Sequence, residues 1–290
     1  FELNPIKFVD VERNSKERQI VERIFCSLKK MKQDQISSKN FYKPAKLWED
    51  QLKTGYEPIY KAIEMNDIER LHYFFANFGS WDKYTGVSAN MLMRKFKKSF
   101  LGRRYLRNVY FRNHLKLWSW LNAGGKEIQK LSCPRFGNQS GVHCDGIFLV
   151  PSSCPNEFNS GLLEPYLSKS ERKVVGELGG GCGQFAYYLL KKIQNTTYIN
   201  FDLPETICLA AYYLMLSFPD KDALLYGEAE FNSKALKKYD LIFMPSFEVE
   251  KLEDTTIDLF LNKNSLGEME KNAAENYLNF ILPSTNYFFH

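Results

Sequence analysis

No stretch of the sequence comes near the roughly 18–20 consecutive apolar residues that a membrane-spanning helix needs. Its opening residues, FELNPIKFVDVERN, carry acids early and no apolar core, so they do not read as a secretory signal. Cysteine is sparse and scattered, six in 290 residues with no CxxC pair. That argues against a zinc site or a disulfide framework, and a cytoplasmic chain with free thiols is expected. Histidine is scarcer still, at four residues, so candidates for imidazole chemistry are few. There is no internal repeat and no low-complexity tract. Between Lys83 and Lys126 there is not one acidic residue.

What is present is ordinary globular material. Hydrophobic residues make up 44% and charged residues 25%, which excludes disorder, collagen or coiled coil as the dominant state. Aromatics are high at 15%, enough to build a sizeable core. At roughly 100–200 residues per domain the length predicts two, or one large domain with an appendage. Charge divides the same way. Residues 1–130 hold 26 Lys and Arg against 14 Asp and Glu, and residues 131–290 hold 13 against 20. Two units are expected, a basic one at 1–130 and an acidic one at 131–290.

The first unit has helical periodicity. Val11, Ile20, Ile24, Phe25, Leu28 and Met31 predict a helix over 10–33. Pro44 opens a second that Gly55 closes, Pro58 starts a third, and Asn66-Asp67 caps a fourth running to about Asn77. Residues 94–116 then carry nine Lys and Arg among Phe, Tyr and Trp. That stretch suits a solvated helix face, an acidic acceptor or RNA. Residues 131–170 read as loop with one strand at Gly146–Val150 and a helix from about Leu162.

From Lys173 the pattern becomes strand, glycine loop, helix, strand. KVVGEL leads into GGGCG at 179–183, QFAYYLLKKI follows as a helix, and TTYINFD ends in Asp202, 19 residues after Gly183. This is the nucleotide-cradling unit of open α/β sheets. Gly181 to Ala186 matches GxGxxA, a dinucleotide pattern, while Glu177, Gly179, Gly181 and Gly183 match E-x-G-x-G-x-G, an S-adenosylmethionine pattern. Glu177 separates the two. A carboxylate beside the loop repels a pyrophosphate and favours a sulfonium or ammonium. S-adenosyl-L-methionine is therefore the expected cofactor, with Glu177, Gly179, Gly180, Gly181, Gly183, Asp202 and Leu203 around it.

Three blocks, VVGELGGGCGQFAYYLL, YINFDLPE and DLIFMPSFEVEKLEDTTIDLFLNKNSLGEM, together resemble the sugar O-methyltransferase family, a branch of the class I S-adenosylmethionine-dependent enzymes. GNQSGVHCDG resembles a family loop just before the domain. The likeness covers roughly residues 135–290, and its FDLP element is shared with small-molecule, phenolic-type O-methyltransferases. It implies an α/β, Rossmann-like sheet with helices on both faces, preceded here by a mainly helical N-terminal domain. It places the third strand at Tyr239–Ser246, with Ser246 and Phe247 at the adenine loop. The fourth falls at Ile257–Asn262 and the start of a fifth at Thr285–His290. DALLYGEAEFNSKALKK reads as an insertion. Class I domains have seven strands, so the last two are expected to be missing from this chain.

Methyl transfer to a hydroxyl needs in-line alignment and a proton acceptor. Glu268, after the fourth strand, is the first candidate base, although Ser265 and Glu268 also fit a capping box. His143, a loop histidine, is the second. His72 and His114 lie in helical patterns and read as structural. Asn262 suits either the cofactor or a strand-end turn. Asp258, Asn262 and Glu268 are oxygen ligands whose spacing defines no site, so no metal is predicted. The expected function is methyl transfer to a sugar hydroxyl of a glycan or glycan precursor, with an acceptor that is acidic if the basic stretch contacts it. RNA 2′-O-methylation and small-molecule O-methylation are the alternatives. Nucleic acid is disfavoured, because Asn262-Lys263-Asn264-Ser265 stands where many base-methylating enzymes carry Asn/Asp-Pro-Pro-aromatic.

Overall fold

The computed structural model describes residues 1–3, 7–12, 16–81, 83, 102–125, 127–167, 171–254 and 257–290. The first part of the basic stretch, residues 94–101, lies outside the described residues. Among the described residues no helix is long and apolar enough to cross a membrane.

The first half is helical, with α1 (Lys16–Ser37) displaced from the expected 10–33 so that Val11 lies outside it, followed by α2 (Lys46–Gly55), α3 (Glu57–Met65) and α4 (Ile68–Asn77) near their expected places. The α3–α4 joint shows the local cause. Asn66 takes the left-handed conformation that ends α3, and the Asp67 carboxylate accepts the Arg70 N–H at 3.0 Å to start α4. A fifth helix, α5, spans Gly102–Leu121.

The following segment corrects the loop expectation. Strands β2 (Val142–Cys144) and β3 (Ile147–Leu149) form a hairpin, joined by β1 (Glu2–Leu3) in a small antiparallel sheet. Helix α6 then runs over Ser153–Leu163, well before its expected start near Leu162. Its polar composition hides buried partners. Glu157 is 1% exposed, accepts from Trp118 Nε1, and pairs with Lys192.

The remainder is a doubly wound α/β unit. Its strands are β4 (Lys173–Leu178), β5 (Thr196–Asp202), β6 (Ala223–Leu225), β7 (Leu241–Pro245), β8 (Ile257–Asn262) and β9 (Thr285–Phe289). They form one parallel sheet in the order β6-β7-β5-β4-β8-β9. The segment read as an insertion contributes the edge strand β6 and a short helix, α9 (Ser233–Lys238).

Helices cover both faces. On one, α7 (Gln184–Lys192) and α8 (Pro204–Ser217) pack on Val175, Tyr198, Phe243 and Leu261. On the other, α9, a 3-10 helix at Ser246–Asp254 and α10 (Lys271–Ser284) pack on Leu178, Phe201, Met244 and Phe260. The alternation along each strand is the period-2 rule for a sheet buried on both sides.

The N-terminal helices join the first of these clusters. Val21, Ile24, Leu28 and Met31 of α1 and Phe74, Phe75 and Phe78 around α4 share one core with Ile207, Ala211 and Tyr212 of α8. Leu28→Ala should lower stability by about 2–5 kcal/mol, the usual range for a truncated core leucine. In urea, one cooperative transition should shift as a whole. Two separate transitions, only one of them moved, would mean that the halves fold independently.

Candidate functional site

A cavity of about 620 Å³ opens at the carboxyl end of the parallel strands, within the usual range for small-molecule sites. Strand order reverses there. The chain moves outward from β4 to β5 and beyond, then returns to β8 on β4's other side, the position where ligands bind in such sheets. The β4–α7 loop lines it with Gly179, Gly180, Gly181 and Cys182. Gly179 has φ +76°, and a Cβ there would fall 2.4 Å from Ser265. Gly181 has φ +59° and only open space beside it. Both positions therefore favour glycine strongly.

Two carboxylates flank the loop. Asp202, at the end of β5, accepts the Gly181 N–H at 3.0 Å and the Leu203 N–H at 2.7 Å. Glu177 is 1% exposed and accepts from the Tyr198 hydroxyl. Burial pushes Glu177 up to about 7, against the pull of Tyr198 and Lys263. Burial also pushes Asp202 up to about 7. Its two backbone donors oppose that rise, and Glu177 and Glu205 add to it. Lys263 is a cation of this region. Its ammonium donates to Asn156 of α6 and sits 5.0 Å from the Phe185 ring centre, and burial holds it below the usual lysine range.

Leu203 and Ser246 line the same cavity, as does Glu268. The capping box does not form at Glu268. The Ser265 hydroxyl donates to the Leu178 carbonyl at 2.8 Å, and Glu268 Oε2 accepts from Trp48 Nε1 at 2.9 Å.

Other sequence candidates stand elsewhere. His143 lies on β2 in the small sheet, with its ring 5.4 Å from that of Phe148, and does not line the cavity. Asn262 is spent on its neighbours, donating to the Leu178 carbonyl of β4 and to Ser265, and meeting Leu266 N–H and His290 Nδ1 through its carbonyl oxygen. Phe247 packs edge-on against Tyr226, and Gly183 faces Leu214 where it starts α7. His72 is buried against Glu17, and His114 bonds the Tyr110 carbonyl. Asp258 sits at the opposite end of β8 from Asn262, held by Lys173 and the Val174 N–H.

Sequence reasoning missed the wall opposite the glycine loop. Phe41, Lys43, Lys46, Trp48 and Glu49 come from the first half, and Tyr277 comes from α10. No sequence signal marks the first group, because their place depends on how α1 docks. Lys263 was findable as the residue directly after strand β8, beside β4.

No family model matches the sequence, and no curated protein matches it. Among solved structures the chain is similar to part of the mitomycin 7-O-methyltransferase MmcR, at 14% identity and a TM-score of 0.32, over 47% of this chain and 34% of that one. It is also similar to part of the small RNA methyltransferase HEN1, at 18% identity and a TM-score of 0.30, over 43% of this chain and 15% of that one. The matched part is about a third of the first protein and a smaller share of the second. The residues of the cleft therefore carry the functional reading.

The raised carboxyls have a measurable sign. A carboxyl that holds its proton to about pH 7 when folded stabilises the fold at low pH, and this contribution is lost as pH rises towards 7. Asp202→Asn removes the titration. Relative to the wild type, the variant should gain on the order of 2 kcal/mol between pH 5 and pH 8 in urea melts. A difference that does not change with pH would mean that Asp202 is ionised in the cleft throughout.

Proposed function

We propose that this cleft binds S-adenosylmethionine and that the chain transfers the methyl group to a hydroxyl, that of a sugar in a glycan or glycan precursor. The observation that carries this reading is the pair of buried carboxylates, Glu177 and Asp202, one on each side of a glycine loop at the switch point of the sheet. A dinucleotide brings a pyrophosphate, which two carboxylates would oppose. S-adenosylmethionine brings a sulfonium and an ammonium, and its donor groups match this acceptor-rich set.

The residues present fit that cofactor. Gly179 to Cys182 allow close approach of the backbone, and Asp202 is placed to accept from the ribose hydroxyls. Glu177 favours the cationic part, with Leu203 and Ser246 lining the remainder. When bound, S-adenosylmethionine supplies an electrophilic methyl group.

The chain's own contribution is to place an acceptor oxygen in line and to take its proton. Glu268 is the group for that step. Trp48 holds one of its oxygens, and Oε1 has no partner among the described residues. The acceptor wall mixes aromatic faces, Phe41 and Trp48, with Lys43, Lys46 and Glu49. Such a mixture suits the apolar faces and hydroxyl rim of a sugar, which supports the sugar reading over a flat phenol.

Calorimetry should detect the demethylated product, S-adenosylhomocysteine, binding more tightly than NAD, and Asp202→Ala should weaken that binding at least about tenfold. Tight binding of NAD alone would end the reading. Glu268→Gln should lower turnover by about 10²–10⁴-fold, the usual worth of a general base, with product affinity nearly unchanged. Near-normal turnover would leave Glu268 as a partner for Trp48 and nothing more.

A further inference from the structure

We propose that the outward face of α5 docks the protein onto an anionic lipid bilayer. This goes beyond methyl transfer and holds whatever the acceptor is. The inward face of α5 is settled by packing. Phe111 and Trp118 are 3% and 4% exposed and lie in a cluster with Val142, Leu149 and Cys154. Two residues after Trp118, and so on the other side of the helix, Trp120 is 75% exposed. Leu117 and Leu121 are exposed beside it, and Leu106 is exposed on the same side by helical spacing, about 21 Å nearer the helix start. Arg112 and Lys116, both exposed, follow one step round the helix, and exposed Tyr105 lies about two turns before Arg112 on that side. Neither base forms an ion pair among the described residues and the helix contains no acid, while Asp145 of the neighbouring hairpin lines the same surface hollow as both bases and Trp120.

Large apolar side chains in one contiguous exposed patch mark an interaction surface. The chemistry of this one selects its partner. Leucines beside a tryptophan, on a helix that carries bases and no acid of its own, make the pattern of a helix that lies in the interface of a charged bilayer. RNA would use Trp120 and the bases, but three exposed leucines offer it nothing to stack on. A second copy of the chain would bring Arg112 and Lys116 against their own kind. The helix is too polar to cross a membrane, so it lies on the surface.

The face is also joined to the cleft. Trp118 donates to Glu157 of α6, and the neighbouring Asn156 takes the Lys263 hydrogen bond at the cavity wall. A bilayer under α5 therefore lies one helix away from the site.

Sedimentation with phosphatidylcholine vesicles, with and without phosphatidylglycerol, tests the proposal on the full chain. The wild type should pellet with the anionic vesicles only, less so as salt rises. The double variant W120S and L117S, both at exposed positions, should keep its melting curve and lose binding by at least about tenfold, given the transfer free energy of two large apolar side chains. R112Q and K116Q should each lower it roughly fivefold and flatten the salt dependence. Three results would overturn the proposal: no pelleting with anionic vesicles at physiological salt; full pelleting of W120S/L117S; or a concentration-dependent dimer, or retention of random RNA, that depends on Trp120 while vesicles are ignored.

Discussion

The architecture depends on the burial of α8. Pro204 to Met215 are buried without a break, so this helix has no face to give to water. The sheet covers one side. A helix that is apolar all round must be covered on the other side as well, and α1 does that with Val21, Ile24, Leu28 and Met31. Each such side chain contributes roughly 1.5–3 kcal/mol when fully buried. Polar contacts then fix the register of the two helices. Lys32 of α1 reaches Glu205, in the first turn of α8, at 2.7 Å, and Tyr60 donates to the same oxygen at 2.6 Å. Tyr212 of α8 donates to Glu17 of α1, which His72 also contacts. Once α1 is placed, the chain leaving its end has to pass the mouth of the cavity, which is how Phe41 and Trp48 become part of the wall.

The electrostatics of the cleft follow from the burial of its acids. Two carboxylates within one small cavity repel each other and lose their hydration. The sequence answers with donors of fixed geometry, the Tyr198 hydroxyl for Glu177 and two backbone N–H groups for Asp202. Lys263 offsets part of the charge without a hydrogen bond to either. A third acid, Glu205, stands behind the site with its charge matched by Lys32. Once ionised, these acids resist further negative charge and favour a cation or a cluster of hydroxyl donors.

How far the sequence could be read follows the range of the interactions involved. Helix caps and strand–loop–helix order are local, and Asp67, Pro44, Pro58 and the glycine loop announce them within a few residues. The two acids beside the glycine loop were legible because their distance from the glycines is set by strand and helix length. Helix α6 was not legible. Its Ser, Cys, Pro and Asn composition mimics a loop, and the contacts that hold it, Trp118 and Lys192 on Glu157, lie 39 and 35 residues away along the chain. His143 failed as a site candidate for a related reason: its Gly- and Cys-rich surroundings read as loop, while strand pairing with Phe148 holds it in the small sheet. The charge split between the halves describes their surfaces and says nothing of the core, where both halves contribute apolar residues to one cluster.

The link between Trp48 and Glu268 shows what that shared core is for. Glu268 sits on a single 3-10 turn, and its own loop offers it no hydrogen bond, because Ser265 and Asn262 are turned to the Leu178 carbonyl. An exposed carboxylate on so short an element would sample many rotamers. The indole N–H of Trp48 holds one oxygen and so limits the direction of the other. Trp48 in turn is held by α2, whose position depends on α1 and on the burial of α8. The candidate base is therefore oriented by a residue 220 positions away along the chain. The helical half therefore supplies part of the cavity wall, with Phe41, Lys43, Lys46, Trp48 and Glu49.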